Sequence, residues 1–273
     1  MGMNSTHTDK QIGQLFLVPT PLDFGCEPDG GSIDQVLPFA TLQRAAGLTH
    51  WITENAKSTR AFLKRVEGAC PLALPIQALN IQSLPRQTHK KGDHLPEQVD
   101  RNAVAELLRP LAAGEDMGLV SEAGMPAIAD PGSSLVRAAH DMGAKVVPLV
   151  GPVSLMLALA ASGLNGQQFA FVGYLPQQPA ERAKRLKELE QLATRSGQTQ
   201  VCIETPYRNK AWLETALHTL SPETRLATCS GLTITGVEEC QSRSVAQWRK
   251  QVQLAGSVDP LASKLPTVFL IGR

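Results

Sequence analysis

The residues with the most chemical character in this 273-residue chain lie in short loops that follow apolar runs. Ser121 to Asp130 (SEAGMPAIAD) follows Met117, Gly118, Leu119 and Val120, and precedes Leu135, Val136, Ala138 and Ala139 at helical spacing. Gly124 lets the backbone come close to a ligand, and Pro126 fixes the chain's path. A loop leaving the carboxyl end of a strand in an α/β sheet is where ligands usually bind. The same residues also read as an ordinary strand-loop-helix joint. Gly151 to Leu164 opens with Pro152 at a favoured first helical position, so its unpaired N–H groups could hold an anion or a carboxylate. Nearly every residue there is small or apolar, which also marks a core helix. Arg182, Lys184, Arg185 and Lys187 cluster at the start of a charged helix, either a phosphate-contacting face or a solvated surface. His89 and His94 lie five apart in a basic stretch, Pro85 to Pro96; with no third ligand near, they read as a solvated connection and no metal is expected.

These loops need elements to carry them. Strand-like runs at Leu15–Val18, Leu48–Thr53, Met117–Val120, Lys145–Val150, the FAFVGYLP segment, the first part of Val201–Arg208 (strand, then loop), Arg225–Cys229 and Val268–Ile271 alternate with helical patterns. The helices are expected at Ile33–Ala46, Glu54–Val66, Val99–Ala113, after Pro131, after Pro152, after Pro179 and at Asn209–Leu220, with Ser133 or Ser134 as a cap. Ala73 to Ile81 reads equally as strand or loop. The alternation predicts an α/β fold with largely parallel sheets. The style of the sequence changes at Gly166, which predicts two α/β domains, 12–165 and 166–273. The polar start with its repeated Met, 1–11, is expected to be disordered or expression-derived and carries no signal-peptide core.

Several classes are unsupported. No GxGxxG follows the first strand, and GxxxxGK[ST], GxSxG and HExxH are absent. A net charge of +1 gives no global basic field, so any nucleic-acid contact must come from local patches. Cysteines at 26, 70, 202, 229 and 240 form no CxxC and read as reduced cytosolic thiols. No apolar run approaches the ~20 residues that span a bilayer.

SEAGMPAIADPGSSLVRAA, followed by VVPLVGPVSLMLALAASGL and FAFVGYLP, resembles the tetrapyrrole methylase superfamily. Within it the chain is most similar to the ribosomal small-subunit methyltransferase I family, whose members 2′-O-methylate a ribose of ribosomal RNA using S-adenosylmethionine. The likeness runs from about Leu15 to the C-terminus, with gaps. It implies two α/β domains with mostly parallel or mixed sheets, S-adenosylmethionine in a cleft between them, a homodimer, small-subunit ribosomal RNA as partner, and a cytoplasmic location. Methyl transfer from a sulfonium needs alignment of nucleophile, methyl and sulfur more than covalent help. Water must be excluded, and a hydroxyl nucleophile must lose its proton. The sequence offers suitable loops without a dense titratable cluster.

The resemblance carries roles onto matching residues. SEAGMP is similar to the family's SDAGTP, which packs against the methionine part of the cofactor, so Glu122, Ala123, Gly124, Met125, Pro126 and Ile128 become cofactor candidates. Pro21, in the exit of the first strand, joins them, as does Ser154 in GPVSLMLALAASG. VGYLP resembles EGFLP and implies Tyr174 near the adenosine; Leu232 and Thr233 resemble the segment lining the adenine. TENAKSTRAFL resembles AEDTRHTRRLL, so Glu54 and Arg60 could orient a ribose and its phosphate, though they also read as a helix cap and a surface arginine. IETPYR resembles YESPHR, which adds Glu204 as a catalytic candidate and Arg208 as an RNA contact beside Arg182, Lys184, Arg185 and Lys187. Glu122 stands for Asp, Met125 for Thr, Asn55 for Asp and Tyr207 for His; DFGCEPDGG and CSGL (Cys229–Leu232) depart further. These departures leave room for another acceptor, such as a tetrapyrrole, or for a cofactor-binding paralogue that has lost catalysis.

Overall fold

The computed structural model describes residues 11–23, 32–85, 100–258 and 262–273. The basic stretch with His89 and His94, the first ten residues and most of DFGCEPDGG lie outside the described residues. The chain forms two compact units, one ending at Pro152 and one starting at Val153.

The first unit is a five-stranded sheet ordered β3-β2-β4-β1-β5, from β1 (Leu15–Val18), β2 (His50–Thr53), β3 (Asn80–Ser83), β4 (Met117–Val120) and β5 (Val146–Pro148). Every pairing in it is parallel. A parallel sheet must be covered on both faces, and the side-chain period of two divides its residues accordingly. Phe16, Val18, Trp51 and Val120 join the core under α1 (Phe39–Ala46) and α2 (Ala56–Ala69). Leu15, Ile52, Met117 and Leu119 pack with α3 (Arg101–Leu107), α4 (Arg109–Ala112) and α5 (Ser133–Asp141). Gly118 is glycine for a packing reason: a Cβ there would lie 2.7 Å from the Trp51 ring.

Prolines explain where helices differ from the sequence pattern. The stretch expected as one helix over Ile33–Ala46 is a 3-10 turn, Ile33–Gln35, then α1, with Pro38 as the cap. Pro110 splits the expected Val99–Ala113 helix into α3 and α4. The ambiguous segment before β3 is a 3-10 turn, Ile76–Ala78, and the strand begins only at Asn80. Helix α5 starts with Gly132 at the cap position, so neither Ser133 nor Ser134 occupies it.

The second unit carries a mixed sheet ordered β6-β7-β10-β8-β9, from β6 (Phe169–Phe171), β7 (Thr199–Glu204), β8 (Arg225–Ser230), β9 (Glu239–Ser244) and β10 (Thr267–Gly272). Only β6 and β7 pair parallel; β10 runs antiparallel to both β7 and β8, and β9 antiparallel to β8. One face, with Cys202, Leu226, Phe269 and Ile271, packs against α7 (Pro179–Ser196), α8 (Asn209–Thr219) and α9 (Val245–Ala255). Trp212 stacks on Phe269 there, with ring centroids 3.9 Å apart. The other face, with Val201, Ala227, Cys229 and Leu270, is covered by α6 (Ser154–Ser162) through Leu155, Ala158 and Leu159. That packing assigns α6 to the second unit, whereas the change of sequence style predicts the break after residue 165. The polar strand β9 has no apolar alternation to announce it, because it is an edge strand with little core to face.

Candidate active site

The first candidate cluster sits at the carboxyl ends of β1, β2 and β4. Thr20 and Gly124 form a two-residue antiparallel bridge, N–H to carbonyl at 3.0 and 3.1 Å in the two directions. The Ser121 hydroxyl donates to the carbonyls of Ala123 and Gly124 at 3.4 and 3.3 Å. The sequence suggests Gly124 as a point of close ligand approach, but its own N–H and carbonyl are engaged by Thr20. Its positive φ of 77° and the Leu22 side chain, 3.0 Å from where a Cβ would lie, are what require glycine.

Beyond the bridge the loop is strained. Ala127 and Ala129 both take φ of 64°, a left-handed conformation that costs about 1–2 kcal/mol for a residue with a Cβ. Between them Ile128 is an exposed large apolar side chain. Glu122 is exposed, Ala123 and Met125 are half-buried, and Gly124, Pro126 and Pro21 are buried. Strain of this kind gathers at sites where backbone position matters to function.

Carboxylates converge on the same loop. The Glu122 N–H donates to Glu54 Oε2 at 3.1 Å, and Asn55 Nδ2 donates to Glu122 Oε1 at 2.8 Å. Asn55 Oδ1 also caps α2 by accepting from the Lys57 N–H at 3.0 Å. Asp130 closes the group. Burial, then the nearby Glu54 charge and to a lesser degree Glu122, raise its carboxyl from 3.8 to about 7, against the opposing pull of a Ser121 hydrogen bond. The sequence lacks a dense titratable cluster, yet folding makes one by bringing Glu54 from the exit of β2 to Glu122 and Asp130 of the loop after β4. Asp130 is the residue that sequence reasoning missed; its one signal is an acid in a strand-exit loop, and nothing local says that Glu54 will face it. Arg60 does not join: it is exposed, and its Nη1 donates to the Ala56 carbonyl at 3.2 Å.

A second cluster occupies one edge of the second sheet, where Glu204, Thr267 and Ser230 stand side by side on β7, β10 and β8. Glu204 is 3% exposed. Its Oε1 accepts from Arg208 Nη2 at 2.6 Å and Nε at 2.8 Å, and from the Thr205 N–H at 2.7 Å. The Arg208 guanidinium carbon lies 5.6 Å from the ring centroid of Tyr174, itself 54% exposed. Leu232 and Thr233 lie in the loop after β8, both half-buried. Thr233 has φ of 67°, an outlier for a β-branched residue, and its hydroxyl is buried without a hydrogen-bond partner among the described residues. Ser154 is the half-buried first residue of α6.

The expected basic face of α7 needs correction at Arg182. That residue is 4% exposed; Nε donates to Thr215 Oγ1 at 3.0 Å and Nη1 to the Gln177 carbonyl at 3.2 Å. The helical period explains it, because 182, 186 and 189 share one face and Leu186 and Leu189 are core. Burial also lowers the Arg182 pKa. Arg185 pairs with Glu188 at 3.0 Å, leaving Lys184 and Lys187 as the exposed cations of the group.

A polar hollow lined by Gly13, Gly47, Thr49, Gly114 and Asp116 opens at the other end of the first sheet. It is at the amino ends of the strands, not the carboxyl ends where such sheets bind ligands. Among the described residues, no three His, Cys, Asp or Glu side chains gather as a metal site requires, and no helix is long and apolar enough to cross a membrane.

Residues 45–243 match the family described as Tetrapyrrole (Corrin/Porphyrin) Methylases. Ribosomal RNA small subunit methyltransferase I of Halalkalibacterium halodurans is 27% identical over 246 residues, 89% of this chain and 73% of that protein. The protein of the same name from Bacillus subtilis is 30% identical over 202 residues, 74% of this chain, and the match spans only 58% of that relative's length. The crystal structure of the methyltransferase CobJ superposes with a TM-score of 0.54 at 17% identity, covering 96% of this chain and 94% of that one, a likeness of fold. The matched region takes in β2, β4, the strained loop, β7 and β8, and the chain belongs to the Tetrapyrrole (Corrin/Porphyrin) Methylases.

Proposed function

We propose that this chain is an S-adenosylmethionine-dependent methyltransferase whose acceptor is small-subunit ribosomal RNA, methylated on a ribose 2′-hydroxyl. The observation that carries the reading is the strained, acid-lined loop from Ser121 to Asp130, in a chain whose relatives from Halalkalibacterium halodurans and Bacillus subtilis are named for methylating small-subunit ribosomal RNA. S-adenosylmethionine, when bound, supplies an electrophilic methyl on a cationic sulfonium. The residues present fit such a molecule on two counts. Glu54, Glu122 and Asp130 create a negative field suited to its cationic groups. Thr233, in the loop expected to meet the adenine, holds a buried hydroxyl with no partner among the described residues.

Each residue then has a defined task. Glu122, Ala123, Met125 and Ile128, the accessible part of the loop, contact the cofactor; Gly124, Pro126 and Pro21 set the loop's path from beneath. Tyr174, Leu232, Thr233 and Ser154 serve the nucleoside part. Asp130, with a pKa near neutrality, is suited to take the proton that a ribose hydroxyl loses. Glu204 holds Arg208 in place, and Arg208 with Lys184 and Lys187 meets phosphates. Arg60, exposed at the start of α2, serves as a phosphate contact beside Glu54. Assembly as a homodimer and a cytoplasmic location complete the proposal.

The test is a transfer assay with methyl-labelled S-adenosylmethionine and small ribosomal subunits, followed by digestion to nucleosides. Label in a 2′-O-methyl nucleoside supports the reading. Label only in a tetrapyrrole offered in parallel overturns the acceptor, and absence of cofactor binding in calorimetry overturns the whole reading. Sedimentation at micromolar concentration tests the dimer.

A further inference from the structure

Two cysteines that no part of the proposed chemistry uses face each other across β8 and β9. Cys229 and Cys240 are directly paired in the antiparallel register. Just beyond the strands, the Val245 N–H donates to the Thr224 carbonyl at 2.9 Å, which marks that pair as hydrogen-bonded. Pairs alternate along an antiparallel ladder, so five positions on, 229 and 240 form a non-hydrogen-bonded pair, the kind with Cα atoms about 4.5 Å apart and side chains close. Disulfides span Cα separations of roughly 4.4–6.8 Å. The ladder therefore sets the two cysteines within the range of Cα separations that a disulfide spans.

The two ends differ in access. Cys229 is buried against α6, its Sγ 3.8 Å from the Ala158 carbonyl, whereas Cys240 stands exposed on the edge strand. Burial and the neighbouring Cys240 thiol push the Cys229 thiol well above its usual range, so it is a poor first nucleophile. An oxidant reaches Cys240 first. Cys202, fully buried on the opposite sheet face, has no such neighbour in register: its partner on β10 is Phe269.

We propose that Cys229 and Cys240 are a redox site: a dithiol that closes to an intramolecular disulfide under hydrogen peroxide and reopens with a thiol reductant. In the first step the Cys240 sulfur attacks one peroxide oxygen, the O–O bond breaks, and water leaves with a sulfenic acid on Cys240. In the second the Cys229 sulfur attacks the Cys240 sulfur, the S–O bond breaks, the Cys229 proton leaves with the hydroxide as a second water, and the S–S bond forms. The dithiol loses two electrons and peroxide gains them. The bond would pin β9 to β8 at the mouth of the loop from Gly231 to Glu238, which carries Leu232 and Thr233.

Both cysteines lie between Arg225 and Arg243 with no Lys or Arg from Leu226 to Ser242, so trypsin releases them on a single peptide, Leu226 to Arg243. Full-length protein is treated with equimolar hydrogen peroxide, unfolded, alkylated and digested. The expected result is an unalkylated peptide lighter by about two hydrogens, restored by dithiothreitol, with Cys202 still alkylated throughout. Cleavage between the cysteines by a Glu-specific protease leaves the two halves joined until reduction. A C240S variant leaves Cys229 fully alkylated after the same treatment. The proposal is overturned if wild-type Cys229 remains alkylated while Cys240 carries a sulfinic acid, or if Cys240 joins another thiol. A separate measurement, the affinity for S-adenosylmethionine of reduced and oxidised protein, rests on the proposed function. A change there shows that the bond reaches the cofactor loop, and an unchanged affinity overturns only that reach.

Discussion

Asp130 gives the sharpest test of how the acid-lined loop works, through the single change Asp130→Asn. Asn keeps the shape and hydrogen-bonding capacity of a protonated carboxyl and removes the titration. In the folded chain Asp130 titrates near 7 instead of 3.8. The folded state therefore holds this proton more tightly than the unfolded state, so stability is lost as pH rises from the unfolded value through the folded one. The loss is complete above neutrality and absent below about pH 4. Roughly three units at about 1.4 kcal/mol each set the full effect near 4 kcal/mol, of which about 2–3 kcal/mol falls between pH 5 and pH 8. At about 2–4 °C per kcal/mol for a chain of this size, the Tm gap between Asp130→Asn and wild type should widen by roughly 5–10 °C over that interval, the variant being the more stable at high pH. Thermal unfolding followed by circular dichroism at matched ionic strength reads it, and titrating groups remote from Asp130 cancel in the difference. The groups that face Asp130 are Glu54, Glu122 and Ser121, so Glu54→Gln should shrink the gap. A Tm difference that stays constant with pH would refute the idea that burial and the two glutamates hold a proton on this loop.

The other predictions concern binding and packing. Cationic S-adenosylmethionine near Asp130 favours the ionised carboxylate, so at about pH 7 binding should release a fraction of a proton; calorimetry in buffers of different ionisation enthalpy would detect it, and proton uptake would contradict the placement. Thr233→Gly relieves a left-handed β-branched residue and should raise stability by about 1 kcal/mol while weakening cofactor affinity about tenfold through the lost hydroxyl. Equal affinity of variant and wild type would remove Thr233 from the nucleoside site. Arg182→Ala should lower unfolding stability by about 2–3 kcal/mol and leave the salt dependence of RNA binding unchanged, because this arginine is tied to Thr215 and Gln177. Lys184→Ala with Lys187→Ala should do the reverse, reducing the slope of log affinity against log salt by about 2 while Tm stays within a degree or so.

Much of this protein is written locally. Alternating apolar and helical patterns suffice for an α/β fold, and the loops at Ser121, Glu54 and Glu204 are visible because each follows an apolar run and breaks its period. Residue types in SEAGMP and VGYLP point to a family, since a backbone-lined pocket needs small residues and turns at set places. Boundaries near Pro38 and Pro110 fail only where a proline overrides the apolar period. Strand β9 is hidden for a different reason: an edge strand buries too little to need an apolar pattern.

What the tertiary structure alone decides is which distant residues meet. Glu54 comes from a segment far from the loop that holds Glu122 and Asp130, and parallel pairing of β2 with β4 is what brings it to them. Gly124 carries a requirement for positive φ in its own type, yet its engagement by Thr20 depends on β1 and β4 lying side by side. Arg182 reads as a surface cation until Leu186 and Leu189 fix which face of α7 is buried. Cys229 and Cys240 are unremarkable in spacing and become a pair only through the register of an antiparallel ladder. Propensity and periodicity act over a few residues and survive in the sequence, whereas proximity between strands is a property of sheet order and register, which the linear chain does not spell out.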